Sequence, residues 1–129
     1  MQKPYIIDFK KNGTSEIGIL IAVEETKEIP FVIKRIFWTY DIPDNIIRGN
    51  HAHYVTEQIL ICIKGRIVVK TVGKNLEELT FELNNPREGL YLPPDAWHTM
   101  TYYENAIQLV LASEIYNEND YIRDFNKFI

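Results

Sequence analysis

Short runs of apolar and β-branched residues, separated by turn residues, make up most of this chain. The predicted strands are residues 17–23, 31–40, 58–63, 66–72, 77–83, 89–92 and 106–112. Each run has the length of one strand, and several short strands with close turns are typical of a β-sandwich or a small barrel. The pattern therefore predicts an all-β domain.

The dipeptide Lys64-Gly65 stands between the apolar runs 58–63 and 66–72. Glycine readily adopts the positive φ that tight hairpin turns require. We therefore predict a β-hairpin with Gly65 in its turn.

The C-terminal segment has a different period. Its apolar residues recur at i, i+1, i+4, i+7 and i+8, which is the stripe of an amphipathic helix. These residues are Tyr121, Ile122, Phe125, Phe128 and Ile129. Asn117 or Asn119 is placed to cap this helix. The predicted architecture is one domain, residues 1–129, with a short C-terminal helix.

Composition and charge narrow the classes of function. The chain has 129 residues, of which 46% are hydrophobic and 25% charged, as is usual for a globular domain. A net charge of −4 gives no basic field for nucleic acid. The single cysteine excludes an internal disulfide, and no apolar run approaches the roughly 18 residues of a membrane span. We expect a cytoplasmic protein without nucleic-acid or membrane partners.

The three histidines lie in two short segments, residues 48–53 and 93–98. His51, His53 and Glu57 all occupy odd positions, which share one face of an extended strand. Such a group of side chains either performs acid–base chemistry or holds a metal ion, and the spacing alone leaves both open.

Two separated motifs resemble the paired signature of the cupin superfamily, whose fold is a jelly-roll barrel: Gly49-x-His51-x-His53-x3-Glu57 and Pro93-x-Asp95-x2-His98. In metal-binding cupins, the ligands occupy the positions of His51, His53, Glu57 and His98. Imidazole and carboxylate suit iron, manganese, nickel or zinc. A metal-dependent cupin enzyme, such as a dioxygenase, is therefore one alternative.

Further segments narrow the resemblance to the dTDP-4-keto-6-deoxyglucose 3,4-ketoisomerases, or WxcM-like sugar isomerases. They are residues 48–53, 57–62, 89–91, 97–98, 111–113 and 119–124. The resemblance implies an intramolecular oxidoreductase that acts on a dTDP-linked sugar during synthesis of bacterial surface glycans, such as lipopolysaccharide O-antigen or S-layer glycans. It also implies a homodimer that uses neither a metal nor a cofactor.

The resemblance assigns His51 and His53 to proton transfer. Moving the ketone from C4 to C3 requires removal of the C3 proton and reprotonation at C4. A base of near-neutral pKa, or two neighbouring groups, can perform both transfers. His51 is the favoured base at C3, but the sequence does not decide which histidine takes which proton.

The predicted substrate-binding residues are Arg48, Arg35, Tyr40, Trp38, His98 and Glu57. The two arginines suit the diphosphate, because the guanidinium group binds phosphate oxygens in pairs. Trp38 and Tyr40 either stack on the thymine or pack in the core. Relatives usually carry tyrosine where this chain has Phe37-Trp38, so an active-site phenol is either missing or moved to Tyr40. For Arg123 we expect a surface or interface ion pair.

The product configuration is linked to two positions. His98 resembles relatives that give an axial C4 hydroxyl, which predicts a galacto-configured product, whereas Ile17 matches neither type. Two further functions remain as alternatives: a nucleotide-sugar 3,5-epimerase and a non-catalytic nucleotide-sugar sensor. The His51-Ala52-His53 pair and the segment 119–124 favour 3,4-isomerisation.

Overall fold

A computed structural model describes residues 2–129 of the chain. Its strands are β1 (Tyr5–Asp8), β2 (Lys11–Thr14), β3 (Gly18–Ile21), β4 (Arg35–Thr39), β5 (Ile47–His53), β6 (Gln58–Val72), β7 (Glu78–Leu83), β8 (Glu88–Leu92), β9 (Trp97–Ala112) and β10 (Tyr121–Ile122). A 3₁₀ turn, Glu118–Asp120, precedes β10, and one α-helix, α1 (Phe125–Phe128), follows it. The predicted all-β fold with a short C-terminal helix is confirmed.

The two long strands β6 and β9 form the spine of the fold. They pair antiparallel along most of their length, from Gln58↔Ala112 to Val72↔Trp97. In one half of this ribbon β6 pairs with β8 and β9 pairs with β4, and β8 pairs in turn with β1. In the other half β6 pairs with β7 and β9 pairs with β5, and β5 pairs in turn with β10. Two layers of sheet therefore share the same pair of long strands, and β2 and β3 form a separate hairpin.

The predicted hairpin at Gly65 is wrong. Residues on both sides of it belong to the single strand β6, and both halves pair with β9. Gly65 has φ +83°, and a Cβ there would lie 2.7 Å from the Cα of Ala106. The register shifts around Lys64, so the glycine marks a bulge at which the ribbon passes from one sheet to the other.

The terminal segment is helical only in part. Tyr121 and Ile122 pair with His53 and Ala52 of β5, so the predicted helix is wrong at these two positions. Asp124 caps the short helix α1 by accepting a hydrogen bond from the backbone of Asn126, at 3.0 Å. No helix within residues 2–129 is long and apolar enough to cross a membrane.

The space between the two sheets is filled by the main core cluster. Leu60 and Leu90 enter it from one sheet, and Val69 and Tyr102 enter it from the other. Cys62 is buried in the same cluster. Burial of these side chains holds the two sheets together.

A smaller cluster covers the β5 end of the fold. Trp97 packs against Phe125 and Phe128 of α1, with ring centroids 5.2 and 5.9 Å away. Ala52 and Ile122 belong to the same cluster. Burial of these apolar groups holds the C-terminal segment against β5, beside the two histidines of that strand.

Candidate active site

A bulge near the end of β5 brings two histidines together. The register against β9 shifts between Gly49 and His51. Gly49 has φ +89°, and a Cβ there would lie 2.9 Å from the carbonyl oxygen of His98. Asn50 also has a positive φ, of 57°. After this bulge His51 pairs directly with His98, so the glycine is required for their close approach.

The three histidine rings form one cluster. The His51 ring centroid lies 4.7 Å from that of His98 and 5.1 Å from that of His53. One ring nitrogen of each histidine lies within 4.8 Å of those of the other two. The structure thus brings together all the histidines of the chain.

Backbone carbonyls fix the tautomers of two of these rings. Nδ1 of His51 lies 3.1 Å from the carbonyl oxygen of Gly49, and Nδ1 of His98 lies 3.0 Å from that of Ala96. A carbonyl only accepts, so each Nδ1 donates its proton. In the neutral rings Nε2 is then unprotonated and available as a base.

The environment keeps these imidazoles neutral. Burial, together with the neighbouring His98 and His53, lowers the pKa of His51 to about 3. Burial and His98 lower the pKa of His53 to about 4, although Asp120 opposes this shift. Burial also lowers the pKa of His98. At neutral pH the three rings are therefore unprotonated on one nitrogen and carry no charge.

Asp120 and Tyr121 complete the cluster. Oδ2 of Asp120 lies 3.3 Å from Nδ1 of His53. The Tyr121 ring lies 4.4 Å from the ring of His53 and 5.0 Å from that of His51. Sequence reasoning placed both residues in the segment 119–124 but gave neither a role. Only the β5–β10 register, with Tyr121 opposite His53, shows their place.

A cavity of about 220 Å³ opens in front of the cluster. Its walls include His51, His98, Arg48, Arg123, Tyr102 and Tyr121. The cavity thus combines neutral imidazoles with two arginines.

Two phenols line this cavity, and neither is the predicted Tyr40. Tyr102 donates a hydrogen bond to the side-chain oxygen of Gln108, and burial raises its pKa to about 12. Tyr121 is the second phenol in the wall. Both cavity phenols thus lie on strands other than β4, Tyr102 on β9 and Tyr121 on β10.

Arg48 and Arg123 both line the cavity, whereas Arg35 lies beside it. The Arg35 guanidinium carbon is 5.2 Å from the ring centroid of Phe37, which is a wall residue. Its buried Nε has no hydrogen-bond partner among the described residues. Arg123 forms the expected ion pair, with Nε 2.6 Å from Oε1 of Glu118. Its place in the cavity wall was not predicted.

Glu57 does not join the histidines. Its Oε1 accepts a hydrogen bond of 2.6 Å from the hydroxyl of Tyr91, whose ring packs in a separate core cluster. Strand β5 ends at His53, and β6 begins at Gln58, so the chain turns before Glu57. The rule of odd positions applies only within one strand. Glu57 is therefore not among the residues that line the cavity of its own chain.

Trp38 and Tyr40 do not reach the cavity of their own chain. Each side chain is 62% exposed, which also excludes the alternative of core packing. Their neighbours Phe37 and Thr39 line the cavity instead. Side chains alternate between the two faces of a strand. Trp38, between Phe37 and Thr39, therefore faces outward, and so does Tyr40, which follows Thr39. These two rings are therefore not placed to stack on a thymine in the cavity of their own chain.

The family FdtA: WxcM-like, C-terminal matches residues 2–129. A TDP-4-oxo-6-deoxy-alpha-D-glucose-3,4-oxoisomerase of Aneurinibacillus thermoaerophilus is 42% identical over 125 residues, covering 95% of this chain and 88% of the relative.

Solved structures agree with this family. A 3,4-ketoisomerase from Helicobacter canadensis superimposes with a TM-score of 0.92 at 39% identity, over 99% of this chain and 96% of the other. The sugar 3,4-ketoisomerase QdtA from Thermoanaerobacterium thermosaccharolyticum, in complex with TDP, gives 0.91 at 36% identity, over 97% and 90%. The expected cupin-type barrel is confirmed. The chain belongs to the WxcM-like, FdtA family of sugar 3,4-ketoisomerases.

Proposed function

We propose that this protein converts dTDP-4-keto-6-deoxy-D-glucose into a dTDP-3-keto-6-deoxyhexose by proton transfer between C3 and C4. The observation that carries the proposal is the cluster of neutral histidines, which opens into a cavity containing Arg48 and Arg123. The relatives also support the proposal, because they are named as sugar 3,4-isomerases.

The first step uses His51, because it lines the cavity. Its Nδ1 proton is directed to Gly49, so Nε2 takes the proton from C3. Electrons from the C–H bond form the C3–C4 double bond of an enediolate, and the negative charge develops on O4. Delivery of the proton to C4 and transfer of the O3 hydroxyl proton to O4 then give the 3-ketone. General acid–base catalysis of this kind contributes about 10²- to 10⁴-fold to the rate.

Substrate charge compensates for the low basicity of the free cluster. An imidazole with a pKa of about 3 is a poor base at neutral pH. A diphosphate in the same cavity brings negative charge near the ring and favours its protonated form. Arg48 and Arg123 hold the phosphate oxygens, and Arg35 supplies a further guanidinium beside the wall. Substrate binding therefore raises the pKa of His51 toward the range useful for catalysis.

His98 shapes the product. It is buried against His51 and lines the cavity, so it contacts the sugar near the reacting carbons. Because His98 resembles the residue of relatives that give an axial C4 hydroxyl, we propose that the product is galacto-configured and serves the synthesis of a bacterial surface glycan. Ile17 is 83% exposed in the turn between β2 and β3 and does not contribute to the cavity of its own chain.

Incubation with dTDP-4-keto-6-deoxyglucose in deuterated water, followed by NMR, tests the proposal. We expect a 3-keto product with deuterium at C4, whose proton couplings report an axial C4 hydroxyl. A product with unchanged keto position, or exchange at C5, would instead indicate epimerase chemistry. No exchange at C3 or C4 would contradict the proposal.

The outer face of β4 supports a homodimer as the working form. Ile36 and Trp38 of this strand, and Tyr40 just beyond its end, are 53%, 62% and 62% exposed. A continuous apolar patch on one chain is typical of a protein interface. We therefore propose that a second copy of the chain covers this face.

A metal-dependent cupin enzyme is the second candidate, favoured by one observation. The three imidazoles offer nitrogens within 4.8 Å of one another, which suits a three-histidine site. The fourth expected ligand, Glu57, is bonded to Tyr91 instead. A divalent ion held by the three histidines would polarise a substrate carbonyl as a Lewis acid.

Metal analysis separates the two candidates. If the protein is a metal-free isomerase, turnover of chelator-treated protein equals that of untreated protein, and added zinc or nickel does not increase it. Stoichiometric metal whose removal abolishes turnover, and whose return restores it, would establish the second candidate. Glu57→Gln is the matched control, because we expect it to alter neither metal content nor turnover.

A further inference from the structure

His53 lies behind the cavity, whereas His51 and His98 line it. Only 3% of the His53 surface is exposed. Its ring stands edge-on to that of His51, with 5.1 Å between the centroids. On its other side, Oδ2 of Asp120 lies 3.3 Å from Nδ1. Asp120, His53 and His51 thus form a row that ends at the cavity.

The carboxylate at the base of this row is held firmly. Oδ1 of Asp120 accepts a hydrogen bond of 2.8 Å from the backbone N–H of Val55. Oδ2 accepts one of 3.3 Å from the backbone N–H of Thr56 and another from the Thr56 hydroxyl. Burial opposes ionisation, but the hydrogen bonds from Thr56 and Val55 outweigh it, and the pKa of Asp120 is lowered. The group facing His53 is therefore a carboxylate, which can only accept protons.

We propose that Asp120 is a positioning residue, which holds His53 in the Nδ1–H tautomer and so presents an unprotonated Nε2 beside His51. The inference rests on the proposed isomerase function and deepens it. Nε2 of His53 has no hydrogen-bond partner among the described residues, and Nδ1 is directed at Asp120 without ideal geometry. Such contacts often tighten only when substrate is bound.

The tautomer affects the proton that moves in the reaction. When His51 takes the C3 proton it becomes an imidazolium. An unprotonated ring nitrogen of His53 nearby stabilises that positive charge, whereas an N–H in the same place would oppose it. The proton still returns from His51 to C4. Asp120 and His53 therefore change only the energy of the state in which His51 is protonated, and neither gains or loses a proton in the reaction.

Asp120→Asn is a sharp test because the loop dictates how the amide is oriented. The backbone N–H of Val55 donates to Oδ1 at 2.8 Å and cannot turn away. At Oδ2 the backbone N–H of Thr56 is farther, at 3.3 Å, and the Thr56 hydroxyl can rotate to accept instead of donating. The amide oxygen therefore occupies the Oδ1 place, where the loss of a hydrogen bond would cost more. The amide nitrogen then takes the place of Oδ2, where it donates to Nδ1 of His53. His53 is thereby forced into the Nε2–H tautomer. Thr56→Val is the matched control, since it removes one hydrogen bond to Asp120 and leaves the carboxylate facing His53.

The experiment records long-range ¹⁵N–¹H spectra of the tag-free protein, which contains only three imidazoles. His53→Gln identifies the His53 signals. In the unaltered protein we expect Nδ1 of His53 to be protonated and Nε2 unprotonated. In Asp120→Asn the pattern reverses, while kcat falls roughly 10- to 100-fold and KM changes less than about threefold. Thr56→Val lowers the melting temperature but keeps the tautomer and kcat within about threefold of the unaltered protein.

Several results would overturn the inference. One is an Nε2–H tautomer of His53 in the unaltered protein, which requires no variant to fold. Another is an Asp120→Asn protein that folds and retains both the tautomer and kcat, and a third is a Thr56→Val protein that loses kcat to the same degree. The spectra do not depend on turnover. A protein that shows the expected tautomer but no isomerase activity would therefore contradict the proposed function and leave the placement of Asp120 standing.

Discussion

We propose His51 as the base of the site, because it combines a fixed tautomer with access to the cavity. The carbonyl oxygen of Gly49 fixes the tautomer, because it accepts a hydrogen bond from Nδ1–H of His51, with 3.1 Å between Nδ1 and the oxygen. His53 shares the cluster but not the cavity. The two neighbouring histidines of the sequence thus have different surroundings, although their spacing suggested equivalent roles.

We predict that His51→Asn and His53→Asn each abolish most turnover while dTDP binding is largely retained. For His51→Asn the loss in kcat is about 10²- to 10⁴-fold, because the base itself is removed. Titration calorimetry with dTDP, alongside NMR assays of turnover, checks this separation. Near-full rates in both variants would refute the assignment of proton transfer to these residues.

Individual residues show both the value and the limit of the sequence. The grouping of His51, His53 and His98 was predictable, because the motif residues and their order are specific. Glu57 was misplaced because the parity rule assumes one uninterrupted strand, and β5 ends before it. Asp120 could not be assigned, since nothing in the spacing of residues 53 and 120 indicates that they meet.

At the scale of elements, Gly65 shows why a glycine between two strand-like runs is ambiguous. A hairpin and a bulged continuous strand both need a residue with positive φ. The pairing of both halves with β9 decides between them, and this pairing involves residues far away in the sequence. The C-terminal helix was overextended for a similar reason, because β5 offers a pairing edge to Tyr121 and Ile122.

We predict that Gly65→Ala lowers the free energy of unfolding more than Gly18→Ala. Both glycines have positive φ, but a Cβ at Gly65 would lie 2.7 Å from the Cα of Ala106, whereas one at Gly18 meets nothing within 4 Å. The left-handed conformation costs an L-residue about 1–2 kcal/mol at each site, and the clash adds to this only at Gly65. Urea denaturation of the two variants measures the difference. Equal losses would show that the backbone at the bulge yields to the new methyl group.

At the scale of the whole molecule, the buried histidines couple stability to pH. His51 and His53 have folded-state pKa values of about 3 and about 4, below the value of about 6.5 expected in the unfolded chain. Between these limits the unfolded chain binds protons that the folded protein does not. The stabilising contribution of the neutral rings is therefore complete above about pH 6.5 and declines as the pH falls toward about 4.

Unfolding in urea at pH 7.5 and pH 5.0 checks this coupling. We predict a lower midpoint at pH 5.0, with a slope of at most about 1.4 kcal/mol per pH unit for each histidine. In His53→Gln the difference between the two pH values should shrink. An equal difference in that variant would mean that other groups cause the pH dependence.

The proposed dimer also belongs to this scale. Trp38→Glu places a charge on the exposed apolar face of β4, and we expect it to yield a monomer in light scattering coupled to gel filtration. Ile63→Glu is the control, since Ile63 is also exposed, at 44%, but lies on β6. A monomeric unaltered protein, or a Trp38→Glu variant that remains dimeric, would reject this interface.

The two-residue strand β10 has a consequence for how the protein loses activity. Tyr121 and Ile122 are its entire pairing with β5, yet the segment around it supplies Asp120, Tyr121 and Arg123 to the site. Beyond this pairing the segment is held mainly by the hydrogen bonds around Asp120 and by one small apolar cluster. A terminal segment held in this way opens at a free energy below that of global unfolding. Mild denaturant should therefore abolish turnover at concentrations at which the backbone amides of β6 and β9 are still protected from hydrogen exchange. Such inactivation would be reversible, because the barrel remains as a template on which the segment docks again.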